Sequence, residues 1–155
     1  MSLSAMITLE FEDNLDLNAD ELRPKLTLAV ELALRHQQIP AGSSLTVVLS
    51  NDEQLQQLNN QFLGIDAPTD VLSFPAGETD PETGDVYLGD IIISCQQAQS
   101  QAKAGNHALE AELQLLIVHG VLHLLGYDHD CEQEKNRMWT TQDDILSQLG
   151  VLGIG

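Results

Sequence analysis

The run L-Q-L-L-I-V-H-G-V-L-H-L-L-G-Y-D-H, residues 113–129, decides how the chain folds. Its apolar residues Leu113, Leu115, Leu116, Ile117, Val118, Val121, Leu122, Leu124 and Leu125 cover nearly the whole circumference of a helix, which a surface helix would not do. The segment is too short and too interrupted, by Gln114, two histidines and a glycine, to cross a bilayer. It therefore reads as a central buried helix, spanning Ala108 to Leu125. At about 100° per residue, His119 and His123 differ by about 40° and share one face of that helix. His129 would point about 240° away from His123 on an unbroken helix, so the chain must turn back before it, and Gly126 stands where a left-handed residue can end the helix.

Two imidazoles in apolar surroundings need partners, because an unpaired buried polar group costs about 1–3 kcal/mol. A metal ion supplies one for each ring. Helix, glycine break and returning third imidazole describe a site in which His119, His123 and His129 bind one Zn2+ per chain and leave an open position for water. The spacing resembles the metzincin peptidase pattern H-E-x-x-H-x-x-G-x-x-H at every histidine and at the glycine. It departs at Gly120, where those enzymes carry the glutamate that deprotonates the water, so peptidase chemistry by that route is not expected. Met138 lies where a Met-turn would follow, but its helical spacing with Trp139 and Leu146 makes it a core residue.

With 155 residues and 43% apolar content, residues 1–155 read as one domain, of which the first four form a leader outside the fold. The formal charge of −18 implies poor non-specific affinity for nucleic acid, and no DNA partner is expected. The basic side chains are Arg23, Lys25, Arg35, Lys103, Lys135 and Arg137. Cys95 and Cys131 are far apart and read as reduced thiols of a cytoplasmic protein, although Cys131, two residues past His129, is a conceivable fourth ligand. No basic segment followed by an apolar stretch opens the chain, so no signal peptide is expected.

Outward from the central helix, a strand is expected near Ala5 to Glu10, then an amphipathic helix from about Asp20 or Arg23 to Gln38 with Leu22, Leu26, Ala29, Val30 and Ala33 on one face. Leu45 to Leu49 reads as a β-branched strand, after which Ser50 or Asn51 caps a helix through about Phe62. Val71 to Phe74, ended by Pro75, and Val86 to Ser94 form a hairpin around the acidic connection Ala76 to Asp85. Helices Gln96 to Lys103 and Glu132 to Leu149 flank the central one. The expected fold is α+β: a small mixed sheet of about four strands packed with about five helices, the central one carrying the metal ligands.

The same run at 119–129, with P-T-D-V-L-S-F-P at 68–75 and L-G-D-I-I-I-S at 88–94, resembles the YbeY family of bacterial endoribonucleases, and the likeness covers most of the chain. What the resemblance implies is a zinc ion on His119, His123 and His129, a single-strand-specific ribonuclease, RNA or the ribosome as partner, and a role in 16S rRNA maturation and ribosome quality control. The chain departs from the family's better-known members at Leu63, after Phe62, where they carry an arginine able to neutralise phosphate charge.

On this reading the catalytic group is a water activated by the zinc, with Asp128 and Asp90 as candidates for orienting the ligands. Both carboxylates also have ordinary structural roles open to them, in a turn and at a strand end. Thr69, Asp70 and Ser73 are candidates for substrate contact or for turn and edge structure. Two other classes are weighed against the endoribonuclease: a zinc hydrolase acting on another substrate, such as a peptide, and a non-catalytic ribosome-associated factor with a structural zinc.

Overall fold

A computed structural model describes residues 6–12, 15, 17–40, 42–128 and 131–151. His129 therefore lies outside the described residues, as do Ala5 and the first four positions. The elements are β1 (Met6–Phe11), α1 (Ala19–His36), β2 (Ser44–Ser50), α2 (Asp52–Leu63), β3 (Val71–Thr79), β4 (Val86–Ser94), α3 (Cys95–Gly105), α4 (Leu109–Leu124) and α5 (Glu132–Leu149). The four strands form one mixed sheet in the order β1-β2-β4-β3. The pairs β1–β2 and β2–β4 are parallel, and β3–β4 is antiparallel. This is the α+β fold that the sequence pattern predicts. No helix among the described residues is long and apolar enough to cross a membrane.

Local chemistry explains the boundaries. The Asn18 side chain accepts the Glu21 amide at 3.2 Å and starts α1 ahead of Pro24, which lies inside the helix on its exposed side. The Asn51 side chain accepts the Gln54 amide at 2.9 Å and starts α2, and Gly64, at φ 72°, ends it. Strand β2 alternates, with Leu45, Val47 and Leu49 fully buried on one face. On that face they join Ile91 and Ile93 of β4, the apolar stripe of α1, helix α4, and Met138, Ile145 and Leu146 of α5 in the main core. Each such fully buried side chain contributes about 1.5–3 kcal/mol. The opposite face carries a smaller cluster in which Leu55 of α2 packs on Leu72 and Ile92.

Strand β3 runs past Pro75 to Thr79, which corrects the expectation that Pro75 ends it. The strand is at the sheet edge, where a residue without an N–H breaks no inner ladder, and its register shifts between Pro75 and Glu78. Met138 is buried in the core, as its spacing predicts.

Helix α4 packs against α1, α3, α5, β3 and β4. It lies tight against the sheet at Gly120, where a Cβ would sit 2.8 Å from Ile91 Cγ2 and 3.2 Å from Ile91 Cδ1. Gly120→Ala should therefore lower stability by about 1 kcal/mol, since overpacking of about 1–3 kcal/mol outweighs the gain of up to about 1 kcal/mol in helix propensity. Urea unfolding measures the sign, and a stabilised variant would show that the contact can open at no cost.

Candidate metal centre

Two features of α4 present the histidines. Gly120 lets the helix settle onto β4, and the Ser73 hydroxyl of β3 donates to the Gly120 carbonyl at 3.2 Å. These contacts fix the rotation of the turn that carries His119 and His123. The helix then ends in a Schellman motif: Gly126 at φ 99°, its N–H on the His123 carbonyl at 3.1 Å and the Tyr127 N–H on the Leu122 carbonyl at 2.9 Å. The chain thus leaves the helix where the glycine signal predicts, three residues before His129.

The two rings meet at their Nε2 atoms, 3.1 Å apart, with centroids 4.6 Å apart and planes at 73°. Nitrogens this close need either a proton between them or a cation facing both. Tetrahedral zinc, with Zn–N bonds of about 2.0–2.1 Å, holds its ligand nitrogens about 3.3 Å apart, so the donor pair fits a divalent ion with little movement. His119 Nδ1 lies 3.1 Å from Oε1 of Gln142, a fully buried residue of α5, and the Trp139 ring lies 6.0 Å from the His119 ring. Neither Gln142 nor Trp139 was expected at the site. The available signal was a polar residue, Gln142, set within the apolar stripe Met138, Ile145 and Leu146.

His119 and His123 open onto a cavity of about 360 Å3 that Leu63, Thr69, Asp70 and Ser73 also line. The structure thus brings all three substrate-contact candidates to the histidines. Asp70 is also an anchor for its own loop. Its Oδ1 accepts the Val71 amide at 2.8 Å and the Thr69 hydroxyl at 3.5 Å, and its Oδ2 accepts the Gln101 side-chain amide at 3.2 Å. Leu63 stands 59% exposed at the rim beside Phe62, whose ring meets that of Phe74 edge-on at 5.2 Å.

Asp90 does not join the site. Strand parity turns Ile91 toward Gly120 and Asp90 toward the opposite face, where Asp90 accepts a short hydrogen bond from the Tyr87 hydroxyl. Burial, and then that bond, push the Tyr87 phenol above its ordinary value. Asp128 is half-buried just beyond the helix exit. Among the described residues no lysine or arginine lines the cavity. Lys25 pairs with Glu110 at 2.6 Å, Arg23 donates to the Leu9 carbonyl at 3.0 Å, and Arg137 lies over the Tyr127 ring.

A sequence model of the endoribonuclease YbeY family matches residues 8–150. The chain belongs to that family. The endoribonuclease YbeY of Halalkalibacterium halodurans is 38% identical over 94% of this chain and 97% of its own length. That of Acetivibrio thermocellus is 35% identical over 85% of this chain and 89% of its own. A Thermotoga maritima protein solved in solution is similar with a TM-score of 0.54 at 28% identity, over 92% of this chain and 91% of that one. The Halalkalibacterium and Acetivibrio relatives are named endoribonucleases, enzymes that hydrolyse RNA, and the family match spans β2 to β4, the cavity and the α4 histidines alike.

Both cysteines are free thiols, Cys131 exposed at the start of α5 and Cys95 buried at the start of α3. Burial pushes the Cys95 thiol up to about 12 from its ordinary 9.0. A raised folded value favours the neutral thiol, so this contribution is complete below about pH 9 and is lost as pH rises toward 12. Urea midpoints should fall above pH 9, and Cys95→Ala should flatten the fall. An equally steep decline in that variant would assign it to other groups.

Proposed function

We propose that this chain is a zinc-dependent, single-strand-specific endoribonuclease acting in 16S rRNA maturation and ribosome quality control. His119, His123 and His129 hold the ion, and the cytoplasm is its place of action. The observation that carries the reading is the convergence of two Nε2 atoms, 3.1 Å apart, at the wall of an open cavity in a YbeY-family fold. Two imidazoles whose Nε2 atoms converge at the wall of an open cavity suit an ion better than packing.

When bound, a divalent ion there supplies Lewis-acid stabilisation of phosphoryl oxygens and lowers the pKa of a water. The chain's own residues do the rest. His119 and His123 bind from a helix whose position Gly120 and Ser73 set, and Trp139 walls the His119 ring. Thr69 and Ser73 line the cavity in which a ribose-phosphate backbone would lie. A peptidase reading is disfavoured at Gly120, which carries no base and is buried against Ile91, where any side chain would force Ile91 to shift. RNA is favoured over DNA as substrate by the family membership alone.

With no cation lining the cavity among its described residues and a formal charge of −18, substrate binding should be weak and phosphate stabilisation should rest mainly on the ion. Purified protein should cut single-stranded RNA, spare duplex RNA, and lose activity in a chelator. Chelator-insensitive cutting would contradict the metal. Leu63→Arg places a guanidinium at the rim and should raise the single-strand rate about tenfold, the equivalent of about 1.4 kcal/mol of phosphate stabilisation. An unchanged rate would mean that phosphate is stabilised from elsewhere.

A further inference from the structure

We propose that Gln142 is a positioning residue that sets the tautomer of His119, placing the ring proton on Nδ1 and turning the Nε2 lone pair toward the metal site. The inference rests on the reading of His119 and His123 as ligands, but its first observable, the location of one proton, exists without any ion.

Gln142 is 1% exposed on the core face of α5, between Met138 and Ile145, where an apolar side chain would pack at less cost. A buried amide group left without a partner costs about 1–3 kcal/mol, so its presence calls for a polar contact. That contact is Oε1 to His119 Nδ1 at 3.1 Å. With Oε1 as the facing atom, a carbonyl oxygen accepts and cannot donate, which assigns the hydrogen to Nδ1 and leaves the lone pair of the neutral ring on Nε2. This is the atom that faces His123 Nε2.

The bond also fixes the plane of the ring. With Nδ1 held by α5, and the backbone of α4 held by Gly120 on Ile91, the imidazole is fixed from both sides before any ion arrives. An amide suits this role because it orients the ring without adding a charge that would favour the imidazolium over the metal-binding neutral form. Helix α5 thereby becomes part of the site although it contributes no ligand among the described residues.

The test is long-range 15N–1H NMR of the His119 ring in metal-free protein at mildly alkaline pH, together with zinc affinity from competition with a chromophoric chelator. Wild type should show the proton on Nδ1. Gln142→Leu should move it to Nε2, as in unconstrained histidine, and weaken zinc about 10- to 100-fold. Gln142→Glu, which keeps an acceptor but adds a charge, should restore the Nδ1 proton and bind zinc more tightly than Gln142→Leu at mildly alkaline pH, where the ring is neutral, a rescue that a purely packing role would not give. A wild-type proton on Nε2, or Gln142→Leu binding zinc as tightly as wild type, overturns the proposal. If Gln142→Leu does not fold, wild type and Gln142→Glu still decide it. If wild type takes up no zinc, the ligand reading fails separately, and the tautomer shift alone decides whether Gln142 controls His119.

Discussion

The contact on which the site depends is the seating of α4 on β4 at Gly120. A Cβ there would sit 2.8 Å from Ile91 Cγ2, so the helix can lie this low because Gly120, the residue that follows His119, has no side chain. The same close approach brings the Gly120 carbonyl within 3.2 Å of the Ser73 hydroxyl on β3. Helix depth and rotation are thus set together, and the rings one residue before and three residues after Gly120 emerge beside the cavity. The glycine that stands where a peptidase would carry its base is the residue that lets α4 lie this low on the sheet.

Several consequences follow from placing the donors on the most buried helix. Interiors packed to crystal-like density resist rotation, so two imidazoles on such a helix are held in place better than on a loop. Two neighbours extend that order outward, Gln142 from α5 and the Thr69–Ser73 segment from the edge strand and its approach. The electrostatics are less favourable to a polyanion. The chain is strongly acidic, three of its six cations are occupied by other groups, and the cavity is lined at Leu63 by an exposed apolar side chain. On the proposed reading, phosphate stabilisation here would lean on the charge of the bound ion more heavily than in a site with a guanidinium at the rim.

Much of this was legible in sequence because the deciding signals are local. The circumference of apolar residues in α4, the alternation in β2, the stripe of α1 and the glycine exit at Gly126 each depend on residues within a few positions of one another. The path of β3 was less legible, because Pro75 stops an inner strand but is tolerated at an edge, and edge status depends on which strands pair. The side to which Asp90 points was hidden for a related reason. Parity separates Asp90 from Ile91, but which parity faces α4 is settled by Gly120, thirty residues later. Gln142 was missed because a lone polar residue in an apolar stripe announces a partner without naming it. His129 lies outside the described residues, and its proposed role as third ligand is read from its spacing and from the family resemblance.

The central claim, that histidines of α4 and its exit hold one catalytic ion, is tested most directly by X-ray absorption at the zinc edge on purified, zinc-loaded protein. The account predicts one ion per chain with imidazole nitrogens at about 2.0–2.1 Å, no sulfur neighbour, and loss of stoichiometric zinc in His123→Ala. A sulfur shell near 2.3 Å, which would bring in Cys131, or full zinc retention by His123→Ala would contradict it.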